Sequence, residues 1–259
     1  LIVLILIVGF ALVAWYASTQ IQPHVPPPPE VDLGELHPLV AETIQEQLAN
    51  VKSNPHSGAV WGELGMTLYA HGFKDEARTC LAQASTLDED EFRWPYMIGY
   101  SLEETDYAGA IAAYRTAFEV RADYVPLRIR LAQLLLREGK LAESETVLTA
   151  AGESENPYLL VTRARLALIQ KQYEQAEELL LRAIEQTGWS PRPAYLELVR
   201  LAQRKGDSVK ATEYQEQLKA FPAVAKMEFS DPVLEGIRSL DGLSKTLAER
   251  ADIALARGD

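Results

Sequence analysis

Cysteine is nearly absent from this chain of 259 residues, and the single one, Cys80, has no second thiol for an internal disulfide or a cysteine metal site. It falls beside Leu81 in an apolar helical stripe and reads as a small packed side chain. No Cys-x-x-Cys-His occurs, which excludes covalent haem attachment. Histidine is scarce too: His24, His37, His56 and His71 are scattered with no ligand spacing. No glycine-rich phosphate loop follows a strand, and no Ser/His/Asp order has a credible context. Asp88–Glu91 and Glu174–Glu178 read as solvated helix ends and faces, so no enzyme and no cofactor are expected. Positive charge is in deficit, 25 basic against 37 acidic residues for a net −12. Such a chain repels a phosphate backbone, which disfavours nucleic acid as a partner. Strand-type alternation of useful length is also missing.

What the sequence does contain is periodic. Trp61, Leu64, Gly65 and Leu68 lie at i, i+3, i+4 and i+7, one face of a helix. Gly72 ends that helix, and Ala77, Leu81 and Ala84 form the stripe of a second. Gly65 and Ala77 are small where two helix backbones are expected to cross closely. Counterparts of Ala77 return at Ala110, Ser144, Ala176 and Ala211, with steps close to 34 residues. Tyr107, Leu141 and Tyr173 precede three of these anchors by three residues. Gly139 and Gly206 repeat the place of Gly72, five residues ahead of theirs.

These residues resemble the tetratricopeptide repeat, a helical hairpin of about 34 residues whose apolar faces are buried by stacking on neighbours. The expected fold is all-α: a TPR-type α-solenoid, a right-handed superhelix of hairpins, preceded by a single transmembrane helix. Five repeats are expected within 57–222, at 58–91, 92–124, 125–156, 157–191 and 192–222. The second is irregular, because its first helix opens Arg93-Trp94-Pro95 and Gly99 stands one residue nearer Ala110 than the pattern asks. Asn156-Pro157, Ser190-Pro191 and Pro222 mark boundaries.

Outside the repeats the chain divides further. Leu1 to Tyr16 is almost unbroken apolar sequence, and no charge precedes Glu30. Carried through Ile21 as a helix it spans about 30 Å, one bilayer core. Trp15 and Tyr16 suit the membrane interface, so 1–21 is expected to be an uncleaved anchor. The acidic flank Glu30, Asp32, Glu35 and Glu42 places the amino terminus in the cytoplasm and the repeats in a periplasm or extracellular space. Residues 22–36, with Pro26–Pro29, are expected to be a polyproline spacer, lifting the folded part ~20–30 Å off the bilayer. Residues 37–56 hold an amphipathic helix (Leu39, Val40, Ile44, Leu48, Val51) opened by Pro38, an amino-terminal cap for the array. In 223–259, Asp231-Pro232 opens a helix through Leu234, Ile237 and Leu240. Leu243 to Ala256 resembles the first helix of a further repeat, so the native chain is expected to continue past Asp259.

The family resemblance implies partner-protein binding in the concave groove, lined by first-helix positions 2, 5, 9 and 12. In the amino-terminal half these are Met66, Tyr69, Tyr96, Tyr100 and Glu103. The carboxy-terminal half offers Ile129, Gln133, Arg137, Val161, Arg165, Leu168, Arg200 and Arg204, a row of arginines able to pair with carboxylates. Gly62 and Met66 stand where repeats that clamp chaperone tails need Lys and Asn, so that activity is not expected. The function expected first is a membrane-anchored interaction scaffold, an accessory subunit of a larger membrane complex, with membrane subunits around the anchor. The alternatives are a periplasmic assembly chaperone resembling the repeat proteins of cytochrome c maturation, and a cytosol-facing import receptor.

Overall fold

The structure is a computed structural model and describes residues 25–34, 36–150, 152, 154–221, 229–240 and 242. Helix α1 (Pro38–Ser53) is followed by five hairpins: α2 (Gly58–Ala70) with α3 (Lys74–Leu87), α4 (Arg93–Leu102) with α5 (Tyr107–Val120), α6 (Val125–Arg137) with α7 (Leu141–Thr149), α8 (Pro157–Ile169) with α9 (Tyr173–Glu185), and α10 (Arg192–Lys205) with α11 (Ser208–Lys219). A further helix, α12, runs over residues 232–240.

Local chemistry starts these helices. The Ser57 hydroxyl accepts the Val60 N–H, Asp106 accepts that of Gly109, Asn156 those of Tyr158 and Leu159, and Asp207 that of Lys210. Each satisfies donors that a helix start leaves bare. The hairpin turns after α2, α6 and α10 pass through left-handed residues, Gly72, Gly139 and Gly206. The turn after α8 takes the same conformation at Lys171, with φ 62° and no glycine. A left-handed residue bearing a Cβ costs roughly 1–2 kcal/mol.

Within each hairpin the helices meet over a small side chain. Ala77, Ala110, Ser144, Ala176 and Ala211 are all buried. Ser144 is polar in a dry slot, and its hydroxyl donates to the Ala132 carbonyl at 3.1 Å, which satisfies it. Gly65 allows the same closeness from the first helix, since a Cβ there would stand 2.8 Å from Leu81 Cγ. Gly62 makes room between repeats, because its missing Cβ is replaced by the buried ring of Trp94. One core runs from Val40, Ile44 and Val51 of α1 through the first three hairpins to Leu159 and Leu166 of α8. A second joins α8, α9 and α10 through Leu160, Leu180 and Leu198. Arg128 is buried in this stack, with Nε donating to the Val147 carbonyl at 3.0 Å and Nη2 to that of Leu148. It thereby satisfies bare carbonyls at the end of α7.

Two expectations need correction. No helix among the described residues is long and apolar enough to cross a membrane. Leu1 to Ile21, with Trp15 and Tyr16, lies outside the described residues. The fold shown is therefore the all-α array of the described residues, and a transmembrane helix is not shown. The membrane-complex subunit, its membrane subunits, and the single-pass placement with periplasmic or extracellular repeats go with the anchor. The proline segment also differs from a free spacer. Val25, Val31, Leu33 and Leu36 pack against the core, so residues 25–34 and Leu36 lie along the array, where apolar side chains flanking the four prolines find a dry surface. The helix expected from Leu243 lies outside the described residues.

Two substitutions test the packing and the turns. Gly62→Ala should destabilise by about 1–3 kcal/mol in urea unfolding, since the rigid Trp94 ring must shift, and should change the near-ultraviolet circular dichroism of tryptophan. Lys171→Gly should raise stability by up to about 1 kcal/mol by relieving the left-handed turn, the gain being partly offset by the freer unfolded chain.

Candidate functional site

The first helices present one side chain after another on a shared face. Helix α4 contributes Tyr96 and Tyr100, with Glu103 just beyond its end, while α6 contributes Arg130, Gln133 and Arg137. Arg130 is the hub. Its Nη1 donates to both oxygens of Glu103, at 3.0 and 2.9 Å, and its Nε donates to the Tyr96 hydroxyl at 2.9 Å. The Tyr114 hydroxyl also donates to Glu103, at 2.7 Å. The guanidinium lies over the Tyr100 and Phe229 rings, 4.7 and 5.1 Å from their centroids. Burial opposes the charge on Arg130, but Tyr96, Tyr114 and Glu103 outweigh it and hold the guanidinium above its ordinary pKa.

Helix α12 sits on this hub. Asp231, 3% exposed, caps α12 by accepting the Leu234 N–H and is itself held by the array. Tyr96 donates to its Oδ2, Tyr124 donates to its Oδ1 at 2.8 Å, and Arg130 Nη2 stands 3.5 Å away. Burial drives the pKa of both phenols well above the ordinary value, so both hydroxyls keep the protons they donate. A buried carboxylate needs such donors, since without them desolvation would cost several kcal/mol. Val233, Leu234 and Ile237 bury their side chains in the main core, and Phe229 packs 5.5 Å from the Tyr158 ring. Open clefts flank the helix on both sides. One is lined by Met66, Phe92, Arg121 and Tyr124, the other by Tyr100, Glu103, Tyr107 and Arg137.

Beyond α12 the same face continues, and no described helix lies over it. A cleft of about 430 Å³ runs over α6, α8 and α10, lined by Leu136, Arg137, Arg165, Leu168, Ile169, Glu197, Arg200 and Arg204. Glu197 is buried and accepts from Arg165 Nε at 2.8 Å and from Arg200 Nη1 at 3.0 Å. Arg137 lies 3.8 Å over the Tyr107 ring, and Arg204 Nη1 reaches the Leu168 carbonyl at 3.5 Å.

The expected groove residues are thus divided. Tyr96, Tyr100 and Glu103 form the hub under α12. Met66 lines one flanking cleft, while Tyr69 lines another with Tyr100 and has its hydroxyl pushed up to about 12 by burial. Arg137, Arg165, Leu168, Arg200 and Arg204 meet in the open cleft. Ile129 and Val161 are fully buried in the core and line nothing. Sequence reasoning missed Arg130, Tyr124 and Glu197. The spacing of Arg130, Gln133 and Arg137 at i, i+3 and i+7 was the available signal for a face one residue later than Ile129.

The tetratricopeptide-repeat family profile matches residues 101–157. No curated protein sequence matches the chain. Among solved structures the chain is similar to MamA (41-end) from Desulfovibrio magneticus RS-1, at 16% identity and TM-score 0.55, over 63% of this chain and 93% of that one. It is similar to PilW, described as a widely conserved type IV pilus biogenesis factor, at 18% identity and TM-score 0.52, over 71% and 90% of the two chains. Pseudomonas aeruginosa PilF aligns at 19% identity and TM-score 0.53, over 70% and 88%. Similarity at this level shows the fold alone, an all-α array of helical repeats. No group of His, Cys, Asp and Glu among the described residues could hold a metal ion.

The hub predicts a coupled pair. Tyr96→Phe and Tyr124→Phe should each cost about 1–3 kcal/mol by taking a donor from a buried carboxylate. The double variant should deviate from additivity by more than about 0.5 kcal/mol in urea unfolding, because both hydroxyls serve Asp231.

Proposed function

We propose that this chain is a protein–protein interaction scaffold whose first-helix face docks an acidic segment of a partner protein across α6, α8 and α10. The observation that carries this reading is the charge of the open cleft. Arg137, Arg165, Arg200 and Arg204 surround it with Glu197 as the lone carboxylate among its lining residues, on a chain of net charge −12. Arg165 and Arg200 share that one carboxylate, which leaves positive charge for a partner. Guanidinium forks take carboxylates by paired hydrogen bonds. Leu136, Leu168 and Ile169 supply an apolar floor, and Ile169 is 47% exposed.

The same geometry favours transient holding of a client, as an assembly chaperone does, over permanent assembly. The cleft is small and its charges are half-exposed, and rim charges speed encounter more than they prolong residence.

The test uses acidic amphipathic peptides of about fifteen residues with two carboxylates four apart, read by fluorescence anisotropy. They should bind more tightly than charge-reversed controls and weaken with added salt. Arg137→Gln with Arg204→Gln should weaken binding about tenfold with an unchanged melting temperature, because neither arginine pairs with the buried Glu197. Arg165 is kept, because without it the buried Glu197 would lose its closest partner. Equal binding of acidic and basic peptides, or of the double variant and the parent, refutes this docking surface.

A further inference from the structure

The amino-terminal half of the first-helix face carries its own information about what it binds, because α12 is already seated there. Among the described residues, helix α12 has no hairpin partner. The fifth pair ends at Lys219, and α12 returns to α4 and α6, joining Asp231 to Tyr124 and Tyr96 across 107 and 135 residues of sequence. Over its described residues, 232–240, Val233, Leu234 and Ile237 are buried against the array, so docking contributes to holding it helical. Its start is self-organised, since the Asp231 carboxylate accepts the Leu234 N–H and Glu235 Oε1 accepts the Asp231 N–H at 3.2 Å.

The receptor beneath it does not depend on α12 for its own charge balance. The bonds from Arg130 to both Glu103 oxygens and to the Tyr96 hydroxyl, and from Tyr114 to Glu103, are made within the array and do not involve Asp231. Removing α12 strands no charge on the array and uncovers apolar surface instead. The array also brings the Tyr96 and Tyr124 hydroxyls and Arg130 Nη2 to one carboxylate. Aromatic and aliphatic pockets flank that point: Phe229 sits between Arg130 and Tyr158, and Val233, Leu234 and Ile237 are buried.

We propose that this half of the face is a receptor for one kind of partner, an amphipathic helix whose N-cap is Asp. The partner helix has an aromatic residue two positions before that Asp and apolar residues two, three and six after it. Segment 229–240 is its resident occupant, and a partner helix of the same chemistry takes its place. This half differs from the open arginine cleft in its ligand, which is a helix start rather than a run of carboxylates, so either site can fail without the other.

Two measurements test the proposal. In hydrogen exchange of the full chain, amides of 233–240 should exchange at least a hundredfold faster than the buried amides of α6, through release of α12 alone. Exchange of both at the same rate means that α12 leaves only when the array unfolds, which overturns the proposal. The second measurement uses a labelled peptide with the sequence of residues 228–242 and full-length chain. Leu234→Ala with Ile237→Ala loosens the resident helix and should bind the peptide at least tenfold more tightly than the parent. Replacing the peptide's Asp231 by Asn, or adding Tyr96→Phe to the receptor, should remove most of that gain. Equal binding by parent and loosened chain, with the array's helical signal and melting transition retained, refutes displacement, and indifference to Asp231→Asn refutes the carboxylate as the recognised group.

Discussion

Two helices can lie this close only where one of them carries almost no side chain, and that constraint generates the rest of the molecule. Ala77, Ala110, Ser144, Ala176 and Ala211 each stand at such a crossing, all buried. A hairpin so thin cannot enclose a core of its own, so its apolar faces remain exposed until another hairpin covers them. Stacking follows, and first helices pack beside first helices along one side of the array. The surface they share is therefore a by-product of the crossing. Its length grows with each repeat, and its chemistry is free to vary, because residues pointing into it are not needed for the stack.

That freedom has been used in two ways on one face. Around Arg130 the face is dry and covered: a carboxylate sits among two phenols and a guanidinium, and aromatic rings enclose it. Around Glu197 it is open, and one carboxylate answers two arginines while two more stand nearby. The difference is one of dielectric. In the covered half each polar contact is strong and removing one partner is costly. In the open half water weakens each pair, and the excess of positive charge acts at a distance within the screening length.

The helices and the expected groove were legible to different depths. The boundary at Asn156 and the turns at Gly72, Gly139 and Gly206 act over three or four residues, so spacing alone announces them. Lys171 escaped that pattern because its backbone adopts the glycine conformation without glycine. The groove was read by family position, and a shift of one residue in α6 moved Ile129 from the surface into the core and left Arg130 unnoticed. Arg165 and Arg200 were read as free to meet a partner, yet both hold Glu197, which a helical wheel of α8 alone cannot show. The anchor was read from hydropathy in residues outside those described, and the proline segment from its backbone stiffness. Stiffness does not prevent Val25, Val31 and Leu33 from packing on the core.

The sequence by itself determined the helical pairs, their small crossing residues and most of their ends, because these rest on contacts between neighbours along the chain and on backbone preference. It also placed an Asp-capped helix after the repeats. Only the tertiary structure decided where that helix goes and what it meets. Tyr96, Tyr124, Arg130 and Asp231 are separated by up to 135 residues, and no local spacing relates them. Their meeting is set by how successive hairpins turn against one another, a sum of small packing rotations that appears in no single repeat.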